Sequence, residues 1–134
     1  MNYIDGFIVP VPKANLAAYR RFARKMGTLW KEHGALEIVE CVADDVKPGK
    51  LTSFPQSVKL KPDEVVVFSW VSYRSRAHRD RVVAKVLADP RLAGMSPASM
   101  PFDGKGMHWQ RLHDRYDETP VPTPAAASCC GDTP

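Results

Sequence analysis

The sequence lacks any apolar run approaching the ~20 residues that a bilayer-spanning helix needs. Its opening stretch, MNYIDGFIVPVPK, has no basic leading segment and carries Asp5 inside the apolar run, so it does not read as a secretion signal. A cytoplasmic protein without a membrane partner is the expectation. Cysteine is scarce and irregularly placed: Cys41 stands alone and Cys129 and Cys130 are adjacent, which is no disulfide framework. Cys41 falls in an apolar run and reads as buried. Histidine is also sparse, and no pair shows zinc-motif spacing such as HExxH, so neither a metal nor another cofactor is expected. GxGxxG, Walker A and GxSxG are all absent, which argues against nucleotide-dependent and serine-nucleophile enzymes.

Charge of one sign is not abundant. The net charge is +4 and the pI about 9.1, which permits contact with anions without singling out nucleic acid. The basic residues Arg74, Arg76, Arg79, Arg81 and Lys85 read as a solvated helix face, because no RNP-type aromatic signature or GXXG loop accompanies them. Nucleic acid is therefore not an expected partner.

What is present is the composition of one globular domain: 134 residues, 44% hydrophobic and 25% charged, long enough to hold a core without staples. Residues 2–12 alternate with period two and read as a strand whose end Pro10 and Pro12 weaken. Asn15 is a fitting N-cap for an amphipathic helix whose apolar face is Leu16, Tyr19, Phe22, Ala23, Met26, Leu29 and Trp30, closed by His33-Gly34. Residues 35–43 alternate again, residues 50–62 hold at most a helical turn, and DEVVVFSWVSY at 63–73 reads as a central strand. Ser75 caps a second helix with Val82, Val83, Val86 and Leu87 on its apolar face, ended by Asp89-Pro90. Residues 105–113 form a last strand, entered through the turn PFDGKG. From residue 118 on, the Pro- and Ala-rich composition cannot repay the entropy of ordering, so residues 1–117 are expected to fold and 118–134 to form a disordered tail.

The element order is βαββαβ, the ferredoxin-like arrangement of an α+β fold, with four antiparallel strands carrying two helices on one face. The other face then needs cover. Tyr3, Phe7, Val39, Phe68 and Trp70 are the residues assigned to it, as a pocket lining or as the seat of a second subunit in a dimeric α/β barrel.

The segments YIDGFIVPVPK, GALEIVECVADDV, DEVVVFSWVSY and MPFDGKGM, in this order, resemble the YbaA-like domain-of-unknown-function family 1428. The resemblance implies a homodimeric α/β barrel and no established activity. The sequence departs from the family pattern after Met107, where His108, Trp109, Gln110 and Arg111 stand in place of an aliphatic residue and glycines.

Three acids lie within apolar strands. By parity Asp5 shares a face with Tyr3 and Phe7, and Glu37 shares one with Val39; Glu40 lies opposite Glu37. A desolvated carboxyl has a raised pKa and can transfer protons near neutrality, which makes Asp5 and Glu37 the candidate acid–base residues, with His108 beside them. The plain alternative for each acid is a salt bridge to arginine. The function expected is that of a dimeric small-molecule binder, or a cofactor-free oxygenase- or isomerase-like enzyme, taking a small apolar or aromatic ligand; the alternative is a non-enzymatic interaction module that only dimerises.

Overall fold

The computed structural model describes residues 2–113. It is an α+β fold with a four-stranded antiparallel sheet of strand order β2-β3-β1-β4 and three helices, compatible with the ferredoxin-like arrangement. The strands are β1 (Tyr3–Pro12), β2 (Glu37–Val42), β3 (Glu64–Tyr73) and β4 (His108–His113); the helices are α1 (Leu16–Glu32), the one-turn α2 (Phe54–Ser57) and α3 (Arg76–Leu87). β1 and β3, the most apolar segments, hold the two central places, where ladder hydrogen bonds are made on both edges. The tail expected over 118–134 lies outside the described residues.

The register decides which residues share a face. Asp5 pairs with Val71, Phe7 with Ser69 and Val9 with Val67, while Ile38 lies beside Val71 and Glu40 beside Ser69. This face carries α1 and α3: Leu29 of α1 and Val82 and Val86 of α3 are buried against Tyr3, Val71 and Tyr73. Each such aliphatic side chain contributes roughly 1.5–3 kcal/mol by leaving water. The opposite face shows Ile4, Ile8, Val39, Phe68, Trp70 and Leu112. Among the described residues it is covered only at one end, where Phe54 of α2 stacks on Phe68 with ring centroids 5.6 Å apart.

The five residues assigned to the open face are therefore divided. Tyr3 and Phe7 lie under the helices, and only Val39, Phe68 and Trp70 belong to the open side. Cys41 is exposed rather than buried, because β2 is an edge strand and Cys41 points to the open side.

Local capping follows the sequence closely at α3, where the Ser75 hydroxyl accepts from the His78 amide at 3.0 Å. At α1 it does not. Asn15 occupies the N-cap position without a side-chain cap bond; its amide instead donates to the Pro101 carbonyl at 3.2 Å, tying the start of α1 to the segment before β4. Gly34 closes α1 with φ +113°, a conformation that costs a side chain dearly.

Candidate ligand site between the first helix and the sheet

The apolar face of α1 is only half packed. Tyr19 and Leu29 are buried, but Phe22, Ala23, Met26 and Trp30 on the same face are not. A cleft of about 510 Å³ lies beneath them, open to solvent on one side. Its floor is the helix-bearing face of the sheet, with Phe7, Val9, Ile38, Glu40, Ser69 and Val71. Its wall is α1, and its roof is the irregular segment 92–107, which contributes Leu92, Met95, Met100, Phe102 and Met107. That volume is within the range of small-molecule sites, roughly 300–1,000 Å³, and far above the voids of a close-packed interior.

The roof is held at both ends. Phe102 meets Tyr19 and Phe22 edge-on, at 5.7 and 5.8 Å between ring centroids. At its start Asp89 accepts from Arg91 and contacts His33 Nε2 at 2.8 Å, and Arg91 reaches Glu32 at 2.6 Å. The bonds from Arg91 and His33 hold the Asp89 carboxyl well below the usual carboxylate range. At its end the Asp103 carboxylate accepts from the Lys105 amide at 2.9 Å and a single 3-10 turn, Gly104–Gly106, leads into β4. The stretch PFDGKG is thus a turn, and Gly104 also lines the cleft. Gly106 serves packing: a Cβ there would stand 3.0 Å from Pro10 Cγ.

Methionine is conspicuous in this lining. Met26, Met95, Met100 and Met107 all face the cleft, and their flexible, polarisable side chains adapt to varied apolar and aromatic shapes. The polar exception is a group of three. The Tyr19 hydroxyl donates to Glu40 at 3.0 Å, and Ser69 is Glu40's neighbour across the β2–β3 ladder. Burial pushes the Glu40 carboxyl above its ordinary value, and hydrogen bonding, that from Tyr19 foremost, only partly offsets this. Burial, reinforced by the neighbouring Glu40, pushes the Tyr19 phenol far up, so it is a donor throughout the ordinary pH range. The arrangement is an apolar cleft, open on one side, with a partly exposed Glu40 carboxyl and a buried phenol at its sheet side.

The residues singled out from sequence fall elsewhere. Asp5 is 3% exposed and paired with Arg79, itself 7% exposed, through Nε at 3.0 Å to Oδ2 and 3.2 Å to Oδ1. The Tyr73 hydroxyl donates to Asp5 at 3.2 Å and accepts from Trp30 Nε1 at 3.1 Å. Asp5 thus has the salt-bridge role and does not line the cleft. Glu37 is exposed on the open face, and His108 lies on that same face with its Nε2 against the Ser57 carbonyl. The three expected catalytic residues are not brought together. Among the expected lining residues, Phe7 does line the cleft, while Tyr3 belongs to the packed core and Val39, Phe68 and Trp70 stand on the far side of the sheet.

The α3 basic face is also not uniformly solvated. Arg79 turns inward to Asp5 and stands 5.3 Å over the Trp109 ring, which lies against Phe7. His78 is buried against Tyr73 and accepts from the Arg74 amide at 2.9 Å; burial, then Arg74 and Arg81, lower its pKa. Leu87, expected in the apolar face, is 70% exposed at the rim of the cleft. Glu40 is visible in the sequence as an acid among apolar strand residues, and the structure keeps it on the face opposite Glu37. The missing information was which face the helices cover.

Among the described residues, no group of three or more His, Cys, Asp or Glu could hold a metal ion, and no helix is long and apolar enough to cross a membrane. Fold and site together define a small α+β protein with an apolar cleft between sheet and helix. The chain belongs to the family described as "Protein of unknown function (DUF1428)", which matches residues 2–104. It is 48% identical over 118 residues to "Uncharacterized protein YbaA" of Escherichia coli (strain K12), covering 88% of this chain and all of that one. The Shigella flexneri protein of the same description matches to the same extent. A solved structure, "De novo designed protein Foldit4", superposes with a TM-score of 0.45 at 11% identity, covering 86% of this chain and all of that one.

Proposed function

We propose that this protein is a dimeric binder of small apolar or aromatic molecules, with Glu40 placed to transfer a proton to or from the bound molecule. The observation that carries the reading is the 510 Å³ cleft lined by α1, the sheet and the methionine-bearing roof, with the Glu40–Tyr19–Ser69 group at its sheet side. A raised carboxyl in an apolar site is the setting in which an acid or base works near neutrality, as isomerases and cofactor-free oxygenases require. The Tyr19 phenol beside it donates its hydrogen bond to Glu40, which leaves its oxygen able to accept from a substrate hydroxyl.

Dimerisation follows from the other side of the sheet. Ile4, Ile8, Val39, Phe68, Trp70 and Leu112 form an apolar surface on the face that α1 and α3 leave open, with Phe68 37% and Leu112 52% exposed. Two such sheets face to face make a dimeric α/β barrel and remove the surface from water. The ligand cleft lies behind the sheet, so dimerisation leaves it accessible.

Native mass spectrometry of the protein purified from cells tests both parts. The expected spectrum is a dimer carrying an additional small mass, lost in Ala23→Phe, which fills the cleft, while the dimer persists. A monomer would contradict the barrel. A clean dimer that also fails to take up the neutral apolar dye N-phenyl-1-naphthylamine would contradict the binding site.

A further inference from the structure

The polar side chains of the cleft are few enough to count by what each can offer a ligand. Among the described residues that line it, none is Lys, Arg, His, Asn or Gln. The lining side chains with an O–H or N–H are Tyr19, Trp30 and Ser69, and two of these three hydrogens are already committed. The Tyr19 hydroxyl donates to Glu40 at 3.0 Å. The Trp30 Nε1–H donates at 3.1 Å to the Tyr73 hydroxyl, which does not line the cleft. Ser69 lies in the floor, 4% exposed.

The acceptors are less occupied. An ionised carboxylate has about four lone-pair sites, and a phenol oxygen accepts as well as donates. Tyr19 takes one site of Glu40, and among the described residues no cation is ion-paired with Glu40. The cleft is thus apolar, with acceptors at its sheet side and hardly a donor. A ligand that carries a carboxylate, sulfonate or phosphate would meet Glu40 without a countercharge. A ketone or ether, which only accepts, would find its lone pairs facing others. An ammonium suits the charge of Glu40 but must first be stripped of its strong hydration, at a far higher cost than a neutral hydroxyl.

We propose that the ligand is a neutral aromatic molecule bearing a hydroxyl group, its ring among Met26, Met95, Met100 and Met107 and its hydroxyl donating to Glu40. This rests on the cleft being a binding site, as proposed above, and adds the polar group that the bound molecule must carry. The hydrogen bond is charge-assisted, the stronger kind, and Tyr19 holds the carboxylate from its other side.

Four naphthalenes on one frame separate the possibilities: 2-naphthol, 2-methylnaphthalene, 2-naphthoate and the cationic 2-naphthylmethylamine. Each is titrated against N-phenyl-1-naphthylamine in the presence of the full chain, at about pH 8, above the ordinary carboxylate range and below that of phenols. Circular dichroism confirms that each variant is folded. 2-Naphthol is expected to displace the dye at about a tenfold lower concentration than 2-methylnaphthalene, the low end for a hydrogen bond to a charged group. 2-Naphthoate should be the weakest of the four. Glu40→Met removes the acceptor and should bring 2-naphthol and 2-methylnaphthalene to within about twofold of each other. Equal displacement by those two in the unaltered chain, an advantage that survives Glu40→Met, or tighter binding of the amine or the naphthoate overturns the hydroxyl proposal while the cleft reading stands. No binding by the dye or by the neutral naphthalenes, or dye binding that Ala23→Phe leaves untouched, overturns the cleft reading and this proposal with it.

Discussion

Removing either half of the buried Asp5–Arg79 pair should destabilise the protein, but by unequal amounts. The structure shows why. Arg79 has a second acid, Asp80, at 3.1 Å, and the Asp80 side chain is 52% exposed. Among the described residues Asp5 has Arg79 as its countercharge and only the Tyr73 hydroxyl besides. Arg79→Met therefore leaves a carboxylate in an apolar interior beside Tyr73, a loss of about 3–5 kcal/mol for breaking a buried pair. In a domain of this size that lowers Tm by roughly 10–20 °C. Asp5→Asn keeps a hydrogen-bond acceptor for Tyr73 and leaves Arg79 its bond to Asp80, so about 1–3 kcal/mol is expected. The double change Asp5→Val with Arg79→Met removes both charges and should recover part of the loss of Arg79→Met alone. Urea unfolding followed by far-UV circular dichroism reads all three, provided the slope with denaturant stays constant. Equal losses for the two single changes, or a loss under about 1 kcal/mol for Arg79→Met, would refute the reasoning. Dye binding supplies the functional contrast: Asp5→Asn should leave it unchanged, since Asp5 does not line the cleft.

Gly27→Ala should raise stability by up to about 1 kcal/mol through helix propensity, because the added methyl meets Ile38 at an ordinary 3.9 Å; thermal unfolding followed by circular dichroism reads it. Gly106→Ala should lower stability, by about 1 kcal/mol or more, since its Cβ would press on Pro10 Cγ at 3.0 Å. Glu40 has a raised folded pKa, so the folded state binds its proton more tightly than the unfolded chain does. Its contribution to stability is greatest below the ordinary glutamate pKa and is lost as pH rises through the raised value; Glu40→Gln should flatten that part of the stability–pH curve, and an unchanged curve would contradict the desolvated carboxyl. Asp89 behaves oppositely: its depressed pKa means that stability present above the ordinary aspartate pKa is lost as pH falls, and Asp89→Asn should make proteolysis between residues 92 and 107 faster.

The period-two and helical patterns located every major element. Both caps and the central place of 63–73 could be read because each depends on local chemistry: a serine before a helix, a glycine after one, a strand apolar on both sides. Parity within each strand could also be read, and Glu37 and Glu40 do lie on opposite faces. Parity alone does not say which face the helices cover, because alternation fixes only the relation between neighbours. Parity alone therefore cannot separate Tyr3 and Phe7 from Phe68 and Trp70, nor rank Glu40 above Glu37. The Asp5–Arg79 pair spans 74 positions, and no local pattern announces such a partner. The roof of the cleft was equally hidden, since Met95, Met100 and Phe102 belong to an irregular segment whose side chains follow no period. Asn15 could be read as a cap by type, but its amide is engaged by Pro101.

The central claim is that small apolar molecules enter the space between α1 and the sheet. Methyl NMR of methionine-labelled protein titrated with N-phenyl-1-naphthylamine tests it most directly, because Met26, Met95, Met100 and Met107 surround that space from helix, roof and strand approach. The account predicts that all four signals shift together and saturate at one affinity, and that Ala23→Phe abolishes the shifts. Unmoved methionine signals while the dye fluoresces, with quenching confined to Trp70 on the open face, would contradict it.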